Sequence, residues 1–428
     1  MKIQSVMIDG FKNLSYVKII FNEITALVAL NNFGKSNVLS AIDFGLHFMQ
    51  ATIKGKKRMM SNSNFMPMHK LMSGRNYKFE IETLTEFNNK KLKIIYGYEF
   101  VWKLKKDEEP LIVSEYLKMK IDDKNQKYVQ IINRNKKIAL YKRFEKGRCA
   151  SEIKIEPTEL AVNKLCAYDD FFYAEIIKKI NDMKFYMENN LDVKSFYQTD
   201  PIIIKGLEDL DINAQNLPRA IYHLWKDDSD KFDLLKDAYK SLFPEVEDII
   251  AGKRKIGITG NVTIPDDAPF ALTDTEFALF VKNKNLEYPV NFTMMSDGAK
   301  RVFMILTKII LADLGNVSLI AIEEPENSVH PGLFQAYLQI ISQLIEDCKI
   351  IITSHSPYIL SYLEPSCIYV GVNRNPGIAE FFTFKKSGKK MLQKDSAHFE
   401  MSMGDYLFSL LADEKSVWKD YLEHFSDE

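Results

Sequence analysis

The chain has 428 residues, with 57 Lys plus Arg against 58 Asp plus Glu, 46% hydrophobic residues and four cysteines. That length suits two domains, or one large domain with an insertion, and the apolar fraction excludes a wholly disordered chain. A net charge of −1 excludes a generally basic nucleic-acid coat, and Cys149, Cys166, Cys348 and Cys367, with no CxxC, suggest neither a zinc site nor a disulfide framework.

No apolar run approaches the ~18–20 residues of a membrane span, so no membrane partner is expected. The start Met1-Lys2-Ile3-Gln4-Ser5 alternates as a strand does and does not read as a signal peptide, which leads to the expectation of a reducing, cytoplasmic setting. The first 30 residues read as strands, and the last of them, from Ile24, is almost wholly apolar, as a strand covered on both faces should be. Ala29-Leu30-Asn31-Asn32-Phe33-Gly34-Lys35-Ser36 follows, and Val38, Ile42, Leu46 and Met49 then mark one face of a helix.

That strand–loop–helix context is what a phosphate-binding loop needs. Backbone N–H groups and a helix N-terminus converge on a phosphate, with no side chain in the way at Gly34. Lys35 is placed to reach β- and γ-phosphates and the Ser36 hydroxyl to ligate Mg²⁺. Ala29 stands where glycine is usual; it costs about 1 kcal/mol if that position needs positive φ, and nothing otherwise.

Short alternating segments over 77–84, 92–101, 117–121, 128–132 and 138–141, separated by polar turns, predict an antiparallel sheet. Two stretches nearby are basic: 133–148 holds seven Lys or Arg against one Glu, and 51–70 holds four Lys, one Arg, no acid and four methionines. They read as solvated faces and a mobile loop, or as a patch that contacts phosphates or docks a partner. Residues 158–255 carry a helical pattern and are read as a helical insertion. Within it, Asp227-Asp228-Ser229-Asp230 is read as a helix cap and first turn rather than a metal site.

From Phe277 the pattern is strand, helix, strand, helix, strand. Met295-Ser296-Asp297-Gly298-Ala299-Lys300 opens an amphipathic helix that Gly315 stops; its hydroxyl and glycine suit a second anion site, or simply a good N-cap. The apolar strand from Val317 ends in Glu323-Glu324-Pro325-Glu326. Pro331 then starts a helix, and Lys349 to Thr353 forms the next strand. This βαβ unit implies parallel strands with a right-handed crossover, whose carboxyl edge is where ligands bind. Glu323 would hold Mg²⁺, Glu324 would orient and deprotonate water, and His355, just after the second strand, could hydrogen-bond a γ-phosphate.

The order Lys35, Ser296, Glu323-Glu324, His355 resembles the head of ABC-type ATPases, and more narrowly the RecF, SMC and overcoming-lysogenisation-defect (OLD) group, also called AAA family ATPases. The resemblance covers the first ~50 residues and 290–365 by motif. It implies an α/β fold with a P-loop, a mixed central sheet, an antiparallel β-subdomain and a helical insertion. The domains would be an N-terminal ATPase lobe (1–157), the insertion (158–255) and a C-terminal lobe (256–428).

By the same resemblance the site comprises several segments. Lys12 and Asn13 of a Phe11-Lys12-Asn13 segment lie near the nucleotide, with Asn31, Asn32, Phe33, Gly34, Lys35, Ser36 and Asn37 of the loop. Ser296 and Gly298 form the signature, which binds ATP held by a second subunit. Glu324 is the catalytic base, Ser36 and Glu323 hold the metal, 327–330 form the D-loop and His355 is the switch. ATP and Mg²⁺ are the implied cofactors.

The departures Ala29, Glu323 and Asp297 point to slow turnover. The 158–255 segment is too short for an SMC coiled coil, and the residues after His355 lack room and acidic spacing for a TOPRIM nuclease. The expected partners are a second copy of the chain, in a homodimer or higher homo-oligomer, and a separately encoded effector, a nuclease or toxin, in anti-phage defence. The alternatives are a nucleotide-gated scaffold with negligible turnover and a RecF-like clamp on DNA.

Overall fold

The computed structural model describes residues 1–426 apart from 62–65, 104–108, 169, 190–192, 198–200, 215, 258–263, 328, 373 and 413–424. The chain divides into two units: Met1–Met187 with Ser318–Glu324 and Asp347–Glu428, and Glu188–Val317 with Pro325–Glu346.

The first unit holds two sheets. One has eight strands, all paired antiparallel, in the order Val17–Ile20, Lys2–Asp9, Tyr77–Phe87, Lys90–Phe100, Ile112–Ile121, Val129–Arg134, Ala139–Tyr141, Ser151–Glu152. Its long strands bury alternate residues, as Tyr77, Phe79 and Ile81 do, which is the half-covered sheet the alternation predicts. The other sheet has seven strands, ordered Lys184–Glu188, Val317–Glu323, Lys349–Ser354, Ile24–Val28, Ile368–Val372, Glu380–Phe384, Phe425–Ser426. Val317–Glu323, Lys349–Ser354, Ile24–Val28 and Ile368–Val372 run parallel, so their carboxyl ends share one edge. Helix Lys35–Gln50 buries Val38, Ile42, Leu46 and Met49, the face read from spacing. Phe44 and Phe48 of that helix pack on Tyr77, Tyr98, Phe100 and Trp102, with ring centroids 4.9–6.3 Å apart.

The second unit is built on helices Leu217–Asp227, Ser229–Leu242, Asp297–Leu314 and Pro331–Leu344, with a small antiparallel sheet of Val246–Lys255, Thr275–Asn283 and Val290–Asn291. Asp228 caps Ser229–Leu242 by accepting from the Lys231 backbone N–H, as the acidic cluster suggested.

The stretch 158–255 is not uniformly helical. Helices Ala161–Leu165, Ala174–Asn181, Leu217–Asp227 and Ser229–Leu242 alternate with strands Lys184–Glu188, Ile202–Ile204 and Val246–Lys255. Pro244 explains the last change: it ends the helix at Leu242, and Val246 and Ile249 then bury as strand residues against Thr275–Asn283. Lys184–Glu188 is a strand because it joins the edge of the seven-stranded sheet, with Phe185 and Met187 packed on the first unit's core. Among the described residues no helix is long and apolar enough to cross a membrane.

Candidate functional site

Strand order brings the separate motifs of the first unit together. Lys349–Ser354 lies between Val317–Glu323 and Ile24–Val28, with Glu323 in register with Thr353 and Ser354 with Val28. The acidic pair, His355 and the glycine-lysine loop therefore leave adjacent strands at one edge. Lys35 is buried, and its Nζ donates to the carbonyls of Ala29 (2.9 Å) and Leu30 (3.1 Å). It also stands 3.2 Å from His355 Nδ1, while His355 Nε2 is 3.0 Å from Glu324 Oε1. An ammonium only donates, so Nδ1 must accept and Nε2 must carry the proton given to Glu324. One neutral imidazole thus joins the loop lysine to the acidic strand end.

The backbone of the loop decides between the two outcomes left open for Ala29. Asn32 (φ 58°) and Gly34 (φ 129°) adopt positive φ, and Ala29 is not among the residues that do. Ala29 therefore carries no left-handed penalty; its Cβ faces Gly371 of strand Ile368–Val372, where an added Cβ would fall 2.7 Å away and 2.5 Å from the Phe33 ring. Glycine inside that apolar strand was the available signal of a close approach. Glu324 also has positive φ (47°), fixed by its N–H donating to Thr353 O at 3.0 Å. Such backbone costs of order 1–3 kcal/mol and persists where surroundings enforce it, often at functional sites.

Asn13 acts on the loop's shape. Its Nδ2 donates to Phe33 O and Gly377 O, both at 3.1 Å, and its Oδ1 accepts from Asn37 Nδ2 at 2.8 Å. Lys12 has positive φ, its ammonium is 5.5 Å from the Phe11 ring, and burial lowers its pKa. Phe11 itself is core, packed on Phe44 and Tyr77. A cavity of about 260 Å³ opens beside the loop, lined among others by Asn13, Asn31, Asn32, Phe33, Gly371 and Leu411. Leu411 belongs to helix Met403–Ala412, which the sequence reading did not connect to the site.

Ser36 is exposed in the first turn of Lys35–Gln50, and Glu323 is partly exposed at its strand end. A hydroxyl and a carboxylate are the hard oxygen donors that Mg²⁺ takes, so the residues fit that ion. Glycine at 34 is required beside them, since an added Cβ would meet Ala379 at 2.8 Å and Asn13 Oδ1 at 3.1 Å.

Ser296 and Gly298 lie in the second unit. Ser296 caps helix Asp297–Leu314, its Oγ accepting from the Ala299 N–H at 3.3 Å, and Gly298 sits in the first turn. Asp297 places a negative charge where an anion would come. The hydrogen bond and charge of Lys300, 2.8 Å away, hold its carboxyl below the ordinary range and offset that charge. Of the D-loop segment 327–330, residue 328 lies outside the described residues.

Residues 151–361 match the family described as "AAA domain, putative AbiEii toxin, Type IV TA system". Protein ea59 of Escherichia phage lambda is 34% identical over 77 residues, which is 18% of this chain and only 14% of the phage protein's length. The SMC head domain from Thermotoga maritima aligns over 90% of this chain and all of its own at 12% identity (TM-score 0.42). A RecF recombination mediator structure aligns over 89% of this chain and 97% of its own at 13% identity (TM-score 0.41). A glycine-lysine loop, an acidic strand end and a histidine thus sit on adjacent parallel strands of a chain whose residues 151–361 match that AAA family.

Proposed function

We propose that the protein binds ATP with Mg²⁺ at the glycine-lysine loop, hydrolyses it slowly, and dimerises around it to gate a partner effector, in bacterial anti-phage defence. The observation that carries this reading is the contact series Lys35–His355–Glu324 across three neighbouring parallel strands. A lysine ammonium, an imidazole and a carboxylate at one edge support it, because they are the set that phosphoryl transfer to water uses. Ser36 and Glu323 would hold Mg²⁺, which when bound supplies charge neutralisation to the phosphates. Lys35 then grips the phosphates, Glu324 orients and deprotonates water, and His355 fixes Glu324.

Ser296 and Gly298 at the N-terminus of Asp297–Leu314 would bind the same phosphates from a second copy, so that cleavage loosens the pair. The family description's mention of a putative AbiEii toxin in a toxin–antitoxin system supports the defence setting.

The test of the nucleotide site is calorimetry with ATP and Mg²⁺. Lys35→Ala should lose measurable ATP binding while keeping the wild-type circular dichroism; unchanged affinity in that variant overturns the assignment. A second reading, a clamp on DNA, is favoured by Lys136, Lys137, Arg143, Lys146 and Arg148, all exposed on the antiparallel sheet's far edge. It predicts ATP-dependent duplex binding that falls steeply with salt.

A further inference from the structure

Helix Met403–Ala412 belongs to none of the motifs of the site, yet it meets the site at two places. Leu411 borders the cavity beside the glycine-lysine loop. Gly404, in the helix's first turn, lies against the turn that carries His355: a Cβ added there would fall 1.9 Å from the Pro357 carbonyl oxygen and 2.5 Å from the carbonyl carbon. Seven residues make two helical turns, about 10 Å, so Gly404 and Leu411 share one face, with buried Leu407 between them. Glycine in a helix gives up stability relative to alanine. Here it stands where backbone meets backbone, a contact that no change of rotamer relieves.

Both partners in that contact are themselves held. Ser402 caps the helix: its Oγ accepts from the Asp405 N–H at 3.0 Å and donates to Asp405 Oδ2 at 2.6 Å. The Phe399 ring stacks on Tyr406 of the helix, with centroids 5.4 Å apart. On the other side, Ser354 Oγ accepts from the Ser356 N–H at 2.9 Å, and the Ser356 carbonyl accepts from the Ile359 N–H at 3.3 Å, so 354–359 form a closed turn. Ser354 is fixed by the sheet, in register with Val28. His355 lies between the sheet anchor at Ser354 and the helix contact at Pro357, and the two together set where its ring stands.

We propose that Gly404 is a positioning residue: by letting the helix reach the Pro357 carbonyl, it fixes the turn that holds His355 between Lys35 and Glu324. For its effect on turnover this rests on the hydrolysis reading given above; for the place of the imidazole it does not. The ring stands 3.2 Å from Lys35 Nζ and 3.0 Å from Glu324 Oε1, distances that hydrogen bonds tolerate only narrowly. A Cβ at 404 must move from 1.9 Å to at least 3.4 Å from the Pro357 oxygen to reach ordinary contact. A turn displaced on that scale gives up at least one of the two imidazole contacts, and with it the aim of the Glu324 carboxylate. Lys35 and the glycine-lysine loop leave a different strand, so the grip on phosphates is spared.

The experiment uses the full chain and reads two quantities. In the nucleotide-free protein, nitrogen NMR of labelled histidine should show the His355 ring, assigned by its loss in His355→Gln, with the proton on Nε2; in Gly404→Ala its signals should shift. In phosphate release, Gly404→Ala should lower kcat by roughly tenfold or more at unchanged KM for ATP. It should cost nothing further in a His355→Gln background, because both changes act through the same ring. Ser402→Ala removes an exposed cap and frays the helix's first turn, so it should move both readouts the same way by a smaller factor; it carries the test if Gly404→Ala does not fold. Unchanged His355 signals or unchanged kcat in a folded variant overturns the inference, as do losses that add in the His355→Gln background. A wild type that releases no phosphate, with His355 signals that Gly404→Ala displaces, overturns the hydrolysis reading and leaves the positioning of the imidazole upheld.

Discussion

At the scale of single residues, the proposed function makes Glu324 the position on which turnover depends. Its left-handed backbone and its contact with His355 aim the carboxylate from a strand end. Glu324→Gln keeps the shape and removes the base, so phosphate release should fall by roughly 10²–10⁴-fold, the range for losing general base catalysis, with ATP affinity retained. A colorimetric phosphate assay beside calorimetry checks both halves. The residue types of this site were legible: Gly34, Lys35, Glu323, Glu324 and His355 stand out from their positions after apolar strands. Their contacts were not legible, because nothing in the chain's linear order says that Lys349–Ser354 enters the sheet between the other two. Backbone strain was not legible for a related reason. The sequence left open whether position 29 needs positive φ, and the left-handed positions prove to be Asn32 and Gly34.

Among the elements, helix Ile53–Met60 carries a testable electrostatic load. Lys56 in it is 1% exposed, and burial holds its pKa at about 8, against an ordinary value of 10.5. The folded chain therefore disfavours the charged form. The destabilisation is fully present below about pH 8 and is relieved as pH rises from about 8 to 10.5, where the unfolded chain still holds the proton that the folded chain has shed. Lys308 in Asp297–Leu314, held at about 8 by burial, acts in the same direction. Urea unfolding of the wild type should accordingly gain stability across that window more steeply than Lys56→Met with Lys308→Met; parallel pH profiles would contradict this. The basic composition of 51–70 gave no hint of it, since it ranks Lys56 with its exposed neighbours. Burial depends on what the helix packs against. By contrast, the antiparallel strands and the amphipathic helices were legible from period alone, because each has one covered face. The failures fall on short strands such as Lys184–Glu188, whose state is decided by a sheet edge far away in sequence.

For the whole molecule, the proposed ATP-bridged pair makes a prediction about size. Glu324→Gln with ATP and Mg²⁺ should elute as a dimer in sizing chromatography with light scattering, and as a monomer without nucleotide; a monomer under both conditions contradicts the bridging role given to Ser296 and Gly298. Lys35 has two loop carbonyls and an imidazole as partners. On the proposed reading a triphosphate at the loop would exchange with those partners, so the net drive of its binding there is a small difference.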